Sequence, residues 1–69
     1  MIYPYITQHA EMRMLNRHIS HDEVLECINL GFVKPQLTPP NTFVCLYKGL
    51  KIVVGEHGVI TAFRYKTHA

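Results

Sequence analysis

Two cysteines, no glycine-rich loop, no H-E-x-x-H and no long apolar run leave several protein classes without a foothold here. Cys27 and Cys45 form no C-x-x-C pair, and each lies within an apolar pattern. Buried free thiols are therefore expected rather than a disulfide framework or a redox motif. Without a glycine-rich turn there is no backbone cradle for nucleotide phosphates. His18-x-x-His21 straddles a helix boundary, and no cysteine or acidic residue completes a ligand spacing around it. Neither a metal centre nor a cofactor is expected. No stretch approaches the roughly 18 apolar residues of a spanning helix. The opening MIYPYITQ lacks the basic and apolar regions of a secretory signal. A soluble, cytoplasmic chain without membrane contact is the expectation.

What is present is a single small domain over residues 1–69, 48% hydrophobic and free of low-complexity tracts. A chain this short buries only about 60% of its unfolded surface, so its core is small and self-association or a partner chain is expected. The net charge of +2 permits a polyanionic partner without demanding one, because dedicated nucleic-acid binders carry a stronger bias.

The opening residues 1–6 read as extended, with Pro4 disfavouring helix at Tyr3. Thr7 suits the N-cap of a helix over 8–17. Ser20 with Glu23 three residues on is a capping box for a second helix over 21–30, and Ile19 and Val24 make the flanking hydrophobic staple. Gly31 is placed to take a left-handed C′ position, with Phe32 folding back onto Cys27. Pro35, Pro39 and Pro40 make 35–42 a loop, after a short strand that begins at Phe32. From Thr42 the pattern changes to three β-runs joined by turns at Lys48-Gly49 and Glu56-His57-Gly58. In the last run Val59, Thr61, Phe63 and Tyr65 point one way and Ile60, Ala62 and Arg64 the other. The fold class is α+β: two N-terminal helices, with Met14, Val24 and Ile28 buried, packed on a three- to four-stranded antiparallel sheet.

One stretch offers chemistry. On a helix at ~100° per residue, His9, Arg13 and Arg17 fall within an arc of about 80°, with Ala10 and Met14 beside it to face a core. Two arginines on a helix face are ordinary solvated surface, and a lone histidine usually has no catalytic role. Together they also describe an anion site. Guanidinium forks match phosphate oxygens, and an adjacent imidazole exchanges protons near neutral pH.

The run His9-Ala10-x-x-Arg13-Met14-x-x-Arg17-x-Ile19-Ser20-x-x-Glu23-Val24 resembles the HAxxRMxxRxISxxEV opening of a bacterial family known as domain of unknown function 4258. Residues 47–54 and 59–63 resemble that family's closing β-runs, so the likeness spans roughly residues 9–65. His18 departs from it, standing where the family commonly has a glycine to end the first helix. Histidine tolerates the left-handed conformation better than most residues. Through that family the chain distantly resembles RelE and barnase-like ribonuclease toxins. The resemblance implies metal-independent RNA cleavage by 2′-oxygen attack on the adjacent phosphate. It implies His9 as base or acid, Arg13 and Arg17 as the phosphate clamp, and Thr61 as a hydrogen-bond donor to the phosphate. Arg64 or Tyr65 would complete the site. The two point to opposite faces, and Tyr65 shares Thr61's face. RNA and an antitoxin protein are the partners so implied. The alternative, from a different class, is a small module whose basic helix face binds protein or RNA without cutting it. It is favoured by the modest charge and by the lack of a second catalytic histidine or carboxylate.

Overall fold

A computed structural model describes residues 4–37 and 40–65. The expectations for Tyr3 and for positions 38 and 39 of the proline loop lie outside those residues. Two helices, α1 (Gln8–Asn16) and α2 (His21–Leu30), precede four strands: β1 (Phe32–Gln36), β2 (Thr42–Tyr47), β3 (Leu50–Gly55) and β4 (Gly58–Arg64). The strands form one antiparallel sheet in the order β1-β2-β3-β4. This is the expected α+β class, with the fourth strand present. Both helices cover one sheet face, α1 against β4 and α2 against β2 and β3. The core between them joins Ala10, Met14, Ile19, Val24 and Cys27 to Cys45, Leu50, Ile52, Val59 and Ala62. Met14 and Val24 are buried and Ile28 packs against this cluster, as the apolar stripes require.

The helix ends are built by local chemistry. The Thr7 hydroxyl accepts from the Ala10 N–H at 3.1 Å, satisfying one orphan donor of α1. At α2 the capping box is complete: the Ser20 hydroxyl accepts from the Glu23 N–H at 3.1 Å, and the Glu23 carboxylate accepts from the Ser20 N–H at 3.0 Å. The Schellman ending belongs to α1 and not to α2. His18 sits at φ 55°, its N–H donates to the Leu15 carbonyl, and the Ile19 N–H reaches back to the Met14 carbonyl at 2.9 Å.

Gly31, expected to be left-handed, is extended at φ −82°. Glycine is required there for another reason. A Cβ would lie 2.4 Å from the Cys27 carbonyl oxygen and 2.6 Å from that of Leu46, because the chain turns directly from α2 into the sheet. Phe32 consequently pairs with Leu46 and remains largely exposed, and does not fold onto Cys27.

The sheet register follows from the hairpin turns. Lys48 and Gly49 both have positive φ, 45° and 80°, so a two-residue loop closes on the Tyr47–Leu50 pair. A pair that closes such a loop is hydrogen-bonded, and alternation then turns the backbone groups of Val44 and Leu46 toward Lys34 and Phe32 of β1. Val33 and Pro35 are left facing outward from the sheet. β1 therefore runs through Pro35 to Gln36, where a loop was expected from Pro35 onward. The missing proline N–H falls on the side that needs no donor.

A register shift opposite Val53/Val54 pairs Val54 with Val59 and leaves Ile60 out of step. That irregularity turns Val59 into the helix-side core with Ala62. The strict alternation placing Val59 beside Thr61 is thus corrected by a β-bulge.

Candidate functional site

α1 lies along the outer edge of β4 and is tied to it at both ends. At the start, the Thr7 N–H and hydroxyl both donate to the Val59 carbonyl, at 3.3 and 2.8 Å, and the Val59 N–H donates to the Tyr5 carbonyl. At the end, the Arg17 Nη1 donates to the Ala62 carbonyl at 2.8 Å. Ala10 and Met14 are buried beneath the helix, so the adjoining stripe of His9, Arg13 and Arg17 runs beside the strand edge. The elements that place these side chains are the Thr7 cap, the apolar pair and the left-handed His18.

Within the stripe, the Arg13 Nε–H donates to His9 Nε2 at 3.4 Å, with both side chains exposed. This contact uses His9 Nε2 as the acceptor. Arg17 is half-buried and does two things at once. It caps the Ala62 carbonyl, and its guanidinium carbon lies 5.8 Å from the centre of the Phe63 ring. Lys51 Nζ lies over the same ring at 5.4 Å. Lys51 and Phe63 are cross-strand partners, and Phe63 alternates with the buried Ala62, so both occupy the sheet face away from the helices. Arg17 reaches that face around the edge of β4.

Thr61 is on the same outer face, two residues before Phe63 and opposite Val53. Tyr65 follows β4. It is partly exposed, and its N–H is held by the Gly49 carbonyl at 2.8 Å. The structure thus groups His9 with Arg13, and Arg17 with the Thr61–Phe63 segment. Among the described residues no hydrogen bond joins His9 or Arg13 to Thr61 or Tyr65. Arg64 is engaged elsewhere. Its Nη2 donates to both Glu23 carboxylate oxygens, at 2.9 and 3.2 Å, and to the His18 carbonyl at 3.0 Å. It also lines an open depression with Arg17 and Phe63.

Lys51 and Phe63 were not singled out from sequence. Alternation along each strand shows which residues share a face, but their meeting depends on the β3–β4 register. The electrostatic layout is one-sided. The five carboxylates are Glu11, Asp22, Glu23, Glu26 and Glu56, and none lies in a strand. Glu11 is matched to His21 of α2 at 2.6 Å and Glu23 to Arg64. Arg17 and Lys51 therefore bring two like charges to one aromatic ring with no carboxylate ion-paired to either among the described residues. That arrangement is relieved by an anion. No protein-family model, no curated protein and no solved structure matches the chain, and the chemistry of the site alone speaks to its use.

Proposed function

We propose that the chain is a toxin-like ribonuclease domain that cleaves RNA without a metal. The observation that carries the reading is the convergence of Arg17 and Lys51 on Phe63, beside a helix stripe that also holds Arg13 and His9. Phosphate oxygens would be gripped by the forked donors of Arg13 and Arg17, with Lys51 adding charge from the sheet. In the reaction the ribose 2′-oxygen attacks phosphorus and gives up its proton to the His9 imidazole. The P–O5′ bond breaks and the departing oxygen takes a proton from solvent water, leaving a 2′,3′-cyclic phosphate and His9 to return its proton to solvent. Cations near the phosphate stabilise the charge that builds on its free oxygens. Thr61 would donate to one of those oxygens and Tyr65 would flank them. The resemblance of the helix-opening run to an uncharacterised family points to the same assignment.

The test is a labelled single-stranded RNA incubated with the protein in excess chelator. Cyclic-phosphate products are expected, with no cut where the 2′-hydroxyl is replaced by hydrogen. His9→Ala should abolish cleavage with the fold intact, since an exposed helical histidine adds little to stability. Arg17→Lys should reduce it markedly by removing the fork. Intact RNA with the wild-type protein sinks the reading.

A second reading has one specific observation behind it. Arg17 already serves the β4 edge at Ala62, and the only hydrogen bond to the His9 ring among the described residues comes from Arg13. That suits a module that binds RNA or protein at the helix face without cutting. Tight RNA binding without products would establish it.

A further inference from the structure

The sheet face turned away from the helices has an order of its own. Leu46, Lys51 and Phe63 each follow or precede a core residue (Cys45, Ile52 and Ala62), so alternation turns their side chains to the outer face. Phe32 pairs with Leu46, Leu46 with Lys51, and Lys51 with Phe63. One cross-strand row therefore crosses all four strands, with an aromatic ring at each end. The next row joins Lys34, Val44, Val53 and Thr61 in the same way. Both helices pack on the opposite face, and no described helix or strand covers this one.

The charge on this face has one sign. Lys34 stands two residues from Phe32, Lys51 lies within the row, and Arg17 reaches round β4 to Phe63. No Asp or Glu lies in any strand, and Glu56 occupies the turn at the end of β3 remote from Lys51. Among the described residues none of the three cations is ion-paired with a carboxylate. A second copy laid on this face would set these cations against one another, and an uncharged apolar partner would bury them unpaired. A polyanion answers both objections, and the rings decide which polyanion. Phe32 is 67% exposed, and an aromatic ring flanked by cations takes a base on its face and the phosphate beside it. At 5.8 and 5.4 Å from the centre of Phe63, Arg17 and Lys51 stand beyond the ~3.5–4.0 Å of van der Waals contact with it.

The spacing selects the strand form. Three strand intervals of ~4.8 Å put the two rings roughly 14 Å apart. A nucleotide has six backbone bonds where an amino acid has three, so an extended strand advances about twice ~3.3–3.6 Å per nucleotide. Two nucleotide steps thus run from ring to ring, with the middle base over Leu46 and Lys51. In a duplex successive bases are stacked ~3.4 Å apart and turned inward on their partners, so a duplex cannot offer base faces to two rings at this separation.

We infer that the outer face of the sheet is the track for single-stranded RNA. Phe63 and Phe32 stack the bases of two nucleotides separated by one, and Arg17, Lys51 and Lys34 take the phosphates between them. The inference rests on RNA as the ligand of the ribonuclease reading and adds the form and path of the strand, with the scissile phosphate at the α1–β4 end.

The probe is a fluorescein-labelled 2′-O-methyl RNA, which has no free 2′-hydroxyl and cannot be cut, titrated with the full chain and followed by anisotropy. A single-stranded hexamer should bind, and the same hexamer within a duplex at least tenfold more weakly. Phe32→Ala should weaken hexamer binding at least fivefold, and Phe32→Tyr, which keeps the ring, should bind as the wild type does. Because Phe32 is exposed, both variants should keep the wild-type circular dichroism spectrum. Affinity should rise as the strand grows from two to four nucleotides, and Phe32→Ala should lose that gain. No binding, equal affinity for single strand and duplex, or hexamer binding indifferent to Phe32→Ala overturns the inference. The two readings fail separately. A protein that binds as described yet leaves ordinary RNA intact loses the ribonuclease assignment alone. One that cuts RNA while its binding ignores Phe32 loses the track alone.

Discussion

Glu23 ties the start of α2 to the end of β4, and its removal should be felt at both. Its carboxylate accepts from the Ser20 N–H at 3.0 Å and takes two contacts from Arg64 Nη2 at 2.9 and 3.2 Å. Losing the reciprocal half of the capping box costs ~0.5–1 kcal/mol for an exposed bond. The Arg64 pair, with both side chains 40% or more accessible, adds only ~0.2–1 kcal/mol after solvent screening. Glu23→Ala should therefore destabilise the domain by about 1–2 kcal/mol. On a chain of this size that lowers the melting temperature by roughly 5–15 °C. Ser20→Ala removes the other half of the box and should cost about 0.5–2 kcal/mol.

The pH dependence has a definite sign. The Ser20 N–H first, and then Arg64, hold the Glu23 carboxyl below its ordinary value of 4.5. The stabilisation is complete above that ordinary value and is lost as pH falls through the lower value of the folded state. The gap between wild type and Glu23→Ala should thus be widest near neutrality and shrink in acid. Thermal unfolding followed by circular dichroism measures this across pH, with Arg64→Ala and the double variant completing a cycle. A Glu23→Ala protein that melts with the wild type at pH 7, or a gap that grows in acid, refutes the reasoning.

Two further outcomes concern strain and burial. His18→Gly should stabilise the domain by ~0.5–1 kcal/mol, because φ 55° is costly for a side chain and free for glycine. A lower denaturant midpoint would show that the imidazole has a structural role. Burial pushes the Cys27 thiol from about 9.0 up to about 12, with the neighbouring Cys45 adding to the shift. The native state holds its proton where the unfolded chain has lost it, so stability should decline as pH rises from about 9 toward about 12. Cys27→Ala should flatten that slope in urea midpoints measured against pH; an identical slope would place the alkaline loss elsewhere.

The sequence by itself determined whatever is settled within a few residues. Thr7 and the Ser20–Glu23 box are helix starts because a side-chain oxygen meets an N–H three positions on. Lys48-Gly49 is a hairpin because both positions adopt positive φ, and His18 accepts the left-handed place because its neighbours close the Schellman bonds around it. The stripe of His9, Arg13 and Arg17 was readable for the same reason, since helical spacing alone sets it. Tertiary structure decided the rest. Gly31 is needed because the Cys27 carbonyl of α2 and the Leu46 carbonyl of β2 occupy the space of a Cβ. Pro35 remains in a strand because the register turns its missing donor outward, and Val59 changes faces because a bulge intervenes. Arg17 serves Ala62, and Lys51 meets Phe63, only once α1 lies on β4 and β4 pairs with β3. Pairing register and helix placement arise from burying one shared core, and no short window of residues contains them.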